Sequence, residues 1–128
     1  LRSNPAADAV TLINGGPGAS SVDLYVDLAG AFAPLLLERD IVLVDQRGTG
    51  RSAPLACEAS TATITAFDAA VVREETARCL ASLTADPRFY TTALAVDDLE
   101  RVRAALGYSQ WNLYGVSYGT RVAQHFLQ

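Results

Sequence analysis

The sequence contains no lysine and no methionine, and only two cysteines, one histidine and one tryptophan in 128 residues. Without lysine it cannot build a Walker-type phosphate loop, in which that side chain reaches the β- and γ-phosphates. All ten of its cations are arginine, fourteen acids outnumber them, and the net charge is −4. No basic stripe is therefore present to follow a phosphate backbone, and nucleic acid is not expected as a partner. No apolar run approaches the roughly 20 residues of a membrane span. The opening Leu1-Arg2-Ser3-Asn4-Pro5 lacks the hydrophobic region of a signal peptide. The chain starts without methionine and stops at Gln128 within a helix-like run, so it is expected to be a fragment of a larger domain.

Cys57 and Cys79 do not form a C-x-x-C pair, and no metal-ligating side chains cluster near them, so no metal site is expected. They are either buried free thiols or a disulfide closing a loop of about 20 residues, a closure valued at roughly 3 kcal/mol. The disulfide is favoured because the two flank a segment with weak regular structure, where a staple is useful. It would put the protein in the periplasm or outside the cell; free thiols would leave a cytoplasmic location.

Half of the residues are hydrophobic, enough for a real core in one domain or part of one. Ala9 to Asn14 reads as a short strand, apolar on both faces, as in a parallel sheet covered by helices. It runs into Gly15-Gly16-Pro17-Gly18, where backbone amides can approach a ligand. Pro17 has no N–H, so Gly15 and Gly16 are the candidate donors, and Gly16 is preferred because it lies further beyond the strand end. Ser20 or Ser21 caps a helix to about Ala31, with Leu24, Leu28 and Ala31 at helical spacing and Asp23 in the first turn. Pro34 ends it or starts a short further turn.

Asp40 to Val44 is a second buried strand, followed by Asp45-Gln46-Arg47-Gly48-Thr49-Gly50-Arg51-Ser52. Gly48 and Gly50 imitate the start of a dinucleotide fingerprint, but Ala53 stands at the third glycine position and Pro54 follows, so no helix opens under a pyrophosphate. Asp45 and Arg47 instead brace the loop by ion pairing and hydrogen bonds, beside the site. From Ala53 to Tyr90 the pattern is weakest: a Ser/Thr-rich patch from Ser60 to Thr65, then a helix through Val71, Val72, Glu75, Cys79 and Leu80. A clear helix follows from Thr91 or Thr92, with Ala95, Leu99, Val102 and Leu106 on its apolar face and Gly107 as its stop.

Trp111 to Tyr114 forms a third strand, which turns directly into a helix from Tyr118 to Gln128 through Gly115-Val116-Ser117-Tyr118-Gly119. Such a turn forces its apical residue into a strained conformation and projects the side chain off the end of the sheet. Gly115 and Gly119 let strand and helix approach closely and leave Ser117 Oγ uncovered at a helix N-terminus, as a nucleophile requires. The element order gives an α/β fold with parallel strands, flanking helices and its candidate catalytic groups at strand C-terminal ends.

The three loops, in this order and spacing, resemble the α/β-hydrolase fold, and within it the proline iminopeptidase and tripeptidyl-aminopeptidase-like serine peptidases. The resemblance covers nearly the whole chain, residues 1–128 being the N-terminal part of such a catalytic domain. It implies Ser117 as nucleophile, with the Tyr118 and Gly16 amides as oxyanion donors, and Gly15, Pro17, Asp45, Arg47, Gly115 and Gly119 as structural neighbours. It also implies a peptide or small acyl substrate and no metal or organic cofactor. The placement of Cys57 and Cys79 is similar to that in the secreted branch. Asn14 departs from the histidine of many relatives, with little catalytic effect expected, since it can still hydrogen-bond the loop.

The triad is incomplete, because in this fold the acid and then the histidine follow the serine. No Asp or Glu follows Ser117, and His125 lies about 12 Å further along the helix, too far to reach Oγ, so it is expected to pack on a helix face. The family's cap domain is also missing. The expectation is an aminopeptidase portion that is inactive by itself and needs the remainder of its domain for stability. A carboxylic-ester hydrolase on the same scaffold and a non-catalytic α/β binding module are the alternatives.

Overall fold

Strand β1 (Asp8–Ile13) is the middle of a three-stranded parallel sheet, with β2 (Asp40–Leu43) on one side and β3 (Gln110–Gly115) on the other. The computed structural model describes residues 8–57 and 68–128. Successive strand residues point to opposite faces, and β1 is buried from Ala9 to Ile13, all apolar but Thr11, because both of its faces are covered. Val10 and Leu12 pack with Phe32, Leu24 and Leu28 of helix α1 (Ser21–Phe32). Ile13 faces the other way, onto Leu99 of α3 (Thr92–Ala105) and Val122 of α4 (Tyr118–Phe126).

The ends of these helices follow from local chemistry. Ser20 caps α1, its Oγ accepting from the Asp23 amide at 3.0 Å, and Pro34 sits in the first turn of the 3₁₀ segment Ala33–Leu37 that follows. Thr91 caps α3, and Gly107, at φ 79°, turns the chain out of it. Ala95 and Leu99 are buried as expected and Val102 is half-buried. Leu106 departs from the expected apolar face and is exposed, because it is the cap residue beyond the last helical turn.

Two of the three strands are less covered than their apolar composition suggests. β2 is only half-buried along its length, and β3 alternates between exposed and half-buried residues. The reason is position: among the described residues they are the two edges of the sheet, and only β1 has a neighbour on both sides.

The chain divides into two compact units, one from the segments that end at Pro54 and resume at Tyr90, the other Leu55–Phe89. The second unit contains helix α2 (Ala69–Ser82), which buries none of its described residues, and the Cys57–Cys79 disulfide, which closes a sequence separation of 22. The Ser60 to Thr65 patch lies outside the described residues.

Candidate active site

Ser117 lies between the end of β3 and the first residue of α4, with φ 52° and ψ −119°. A side chain with a Cβ rarely adopts positive φ, so this conformation carries a cost that the surrounding structure must hold. Two glycines enforce the turn. A Cβ at Gly115 would meet the Gly119 carbonyl oxygen at 2.5 Å, and one at Gly119 would meet the Ile13 carbonyl oxygen at 2.0 Å. Strand, helix and central strand therefore touch backbone to backbone. The turn is pinned by the Val116 amide donating to Ile13 O at 3.0 Å, and Thr120 donates to Ser117 O through both its amide and its hydroxyl. Ser117 itself remains exposed at the N-terminus of a nine-residue helix, where the Gly119 and Thr120 amides are taken by Val116 O and Ser117 O and the Tyr118 amide meets no acceptor among the described residues. The Tyr118 ring packs into the core around Leu99 and Val122, and its hydroxyl shares a hydrogen bond of 2.6 Å with Thr92.

The Gly15–Gly18 loop comes off the end of β1 beside this turn. Gly15 is buried and faces Ser117, whereas Gly16 is exposed with φ 104°, a region suited to glycine, and its peptide bond to Pro17 is cis. The two candidate amides are not equivalent. Gly15 N–H donates to Asn14 Oδ1 at 2.7 Å, while Gly16 N–H meets no acceptor among the described residues.

Asp45 is buried and ties the loop after β2 to the start of α1. Its Oδ1 accepts from Ser20 Oγ, Ser21 N and Val22 N at 2.9, 2.8 and 3.2 Å, and its Oδ2 accepts from Arg51 N at 3.0 Å. Burial pushes its pKa up and is the largest single influence. The Arg51 and Val22 amides, the Ser20 hydroxyl and the Ser21 amide together outweigh it, and the carboxyl sits below its ordinary range. Gly50, at φ 48°, leaves room for this carboxylate, since a Cβ there would lie 2.1 Å from Oδ2.

Arg47 pairs with Asp98 of α3 through two charge-assisted bonds of 2.6 and 2.7 Å. The hydrogen bond to Asp98 raises the Arg47 pKa further. The pairing reaches 51 residues along the chain, so the ion pair expected to brace this loop is made outside it, with Arg47 anchoring the loop to a helix.

The structure thus brings Ser117, Gly15, Gly16, Tyr118, Gly115 and Gly119 to one end of the sheet. It does not make a packing residue of His125. That side chain is exposed on α4 beside Arg121, Gln124 and Gln128, because Gly119 and Val122 define the buried stripe of the helix. Two further residues at the site, Asp98 and Thr92, carry no functional signal in the sequence, where Thr92 is no more than a possible helix start. Neither has a local signal that names its partner. Among the described residues no group of three or more His, Cys, Asp and Glu side chains is arranged to hold a metal ion, and no helix is long and apolar enough to cross a membrane.

Comparison with known proteins agrees with the fold. The sequence model for the alpha/beta hydrolase fold matches residues 8–128. A protein of Streptomyces coelicolor named a probable proline iminopeptidase is 31% identical over 125 residues, covering 98% of this chain and 30% of the relative. Proline iminopeptidases of Neisseria meningitidis serogroup B and Xylella fastidiosa are each 30% identical over 125 residues, covering 98% of this chain and 29% of the relative. The chain spans less than a third of the length of these curated relatives.

Proposed function

The chain belongs to the alpha/beta hydrolase fold family, and from that membership we propose that Ser117 is the nucleophile of a serine hydrolase that removes residues from the N-terminus of peptides. The observation that carries the reading is the backbone of Ser117. A non-glycine residue held at φ 52°, exposed, between two glycines that admit no side chain, is strain kept where a reactive hydroxyl must project.

In this reading Ser117 Oγ attacks the carbonyl carbon of the scissile bond while a histidine takes its proton, and the same histidine then protonates the departing amine. The amides of Gly16 and Tyr118 hold the negative oxygen of the tetrahedral intermediate. Each is fixed before reaction, and losing one such donor costs about 3 kcal/mol of transition-state stabilisation. The acid and base come from outside this stretch, since no Asp or Glu follows Ser117 and His125 is turned away on the exposed side of α4. No cofactor enters this mechanism.

Peptide N-termini are the favoured substrates because relatives matched over nearly the whole chain are named proline iminopeptidases. The Cys57–Cys79 bond supports an oxidising compartment, the periplasm or the cell exterior. The test is to treat the full-length protein with a serine-directed fluorophosphonate and to assay it with aminoacyl amides and simple acyl esters. Labelling that disappears in Ser117→Ala, with turnover of the amides, is the expected result. Turnover of acyl esters alone would make it an ester hydrolase, and absence of labelling would make it a non-catalytic module.

A further inference from the structure

The geometry points to Asn14 as the residue that selects which amide of the glycine loop faces the substrate. The inference rests on the serine-hydrolase reading and assigns a positioning role within it. Asn14 is half-buried at the end of β1 and uses both ends of its carboxamide. Its Oδ1 accepts from the Gly15 amide at 2.7 Å, and its Nδ2 donates to the Ser20 carbonyl oxygen at 2.8 Å. Its own amide donates to Ser21 Oγ at 3.2 Å, and Gly15 O accepts from Ala19 N at 3.2 Å. The strand end and the cap of α1 are thereby joined across the loop by one side chain.

Two consequences follow. First, the Gly15 N–H is occupied and cannot turn toward a developing oxyanion, which leaves the Gly16 N–H as the donor of this loop. Second, the loop is held at both ends before any substrate arrives, and preorganisation of this kind is what gives an oxyanion donor its effect. The task needs one acceptor and one donor on the same short side chain. A carboxamide supplies both, a neutral imidazole also supplies one of each, and an aliphatic side chain of similar size supplies neither. Replacing Asn14 with leucine would release the Gly15 amide and detach the loop from Ser20 O. Nothing that Asn14 touches is a reacting atom, so its effect passes through the position of Gly16.

The experiment compares Asn14→Leu and Asn14→His with the unsubstituted full-length protein. It measures the rate of fluorophosphonate labelling of Ser117 and, on the best aminoacyl amide, kcat and KM separately. Complete loss of an oxyanion donor costs about 10²–10³ in kcat. For Asn14→Leu, a displaced donor predicts labelling and kcat lower by about 10- to 100-fold with KM changed by less than about 3-fold. Asn14→His is expected to return both rates to within about 3-fold of the parent. Labelling of Asn14→Leu at the parental rate, or a histidine variant as slow as the leucine one, overturns the assignment. If Asn14→Leu does not fold, the histidine variant decides alone: a rate within about 3-fold supports the role and a loss of about 10-fold or more overturns it. An unsubstituted protein that takes no label would instead remove the serine-hydrolase reading on which this one rests.

Discussion

Gly15 and Ser117 occupy adjoining space with no room for a side chain between them: a Cβ at Gly15 would lie 2.6 Å from Ser117 Cβ and 3.1 Å from its Oγ. The third close atom is the Val116 carbonyl oxygen at 3.0 Å, which belongs to the backbone of the same turn and cannot swing aside. Gly15→Ala is therefore expected to displace the serine. A misplacement on the order of 1 Å lowers reactivity by about 10²-fold, and overpacking costs about 1–3 kcal/mol of stability. Fluorophosphonate labelling and a thermal melt of the full-length variant check the two effects. A parental labelling rate would show that the turn yields.

Gly119→Ala is expected to be more severe, because every close atom belongs to backbone. Its Cβ would lie 2.0 Å from Ile13 O and 2.7 Å from Ile13 C, in the central strand of the sheet. The expected loss is about 3 kcal/mol or more, at the upper end of overpacking effects. Gly30→Ala is the matched control, since that glycine lies inside α1 with nothing within 4 Å of an added Cβ, and a gain of about 0.5–1 kcal/mol is expected. Urea denaturation of both variants measures the contrast.

These clashes also mark where sequence reasoning is informative and where it stops. β1, α1 and α3 are legible as elements because period-2 and period-3.6 patterns lie within one segment, although Ala31 and Leu106, both on the apolar spacing of their helices, are exposed at the helix ends. The Gly-x-Ser-x-Gly turn is legible because a tight strand-to-helix junction needs small residues at fixed offsets. Arg47 and Asp98 are 51 residues apart, and Asp45 meets the start of α1 across 24 residues. Such pairings are set by how elements pack, and neither partner's local sequence encodes the other. The exposure of His125 and the half-covered state of β2 and β3 are unreadable for the same reason.

Asp45 gives a dependence on pH with a definite sign. Its folded pKa is depressed, so the stability it contributes is fully present above its unfolded pKa, about 3.9, and is lost as pH falls through the lower folded value. Asp45→Asn removes the charge from a buried carboxylate that accepts four hydrogen bonds. At pH 7 the variant is expected to be less stable by about 1.5–3 kcal/mol, the worth of a hydrogen bond to a charged group. The difference should shrink as pH drops below about 4. Denaturant titrations of parent and variant at a series of pH values check this, and a gap constant from pH 7 to pH 3 would contradict it.

Residues 1–128 made alone are expected to associate. Among the described residues β2 and β3 each leave one strand edge unpaired, and Leu37, Val26 and Tyr114 are 80%, 70% and 45% exposed. Open edges beside apolar surface are templates for pairing with other chains. Sedimentation velocity across a concentration series tests the expectation, and a single monomeric species with a cooperative melt would refute it.

Ser117→Gly separates the two demands on the elbow. At φ 52° and ψ −119° the serine occupies a sparsely populated backbone region, where strain costs about 1–3 kcal/mol, and glycine adopts positive φ without it. Glycine also loses more backbone entropy on folding, about 0.5–1 kcal/mol, so the balance favours the variant by about 1 kcal/mol. Ser117→Ala keeps a Cβ and gains no such relief, although both variants lack the hydroxyl and neither should take the fluorophosphonate. The melting temperature should therefore be highest for Ser117→Gly, with Ser117→Ala close to the parent. Equal melting temperatures for the two variants would mean that the conformation at residue 117 is not strained.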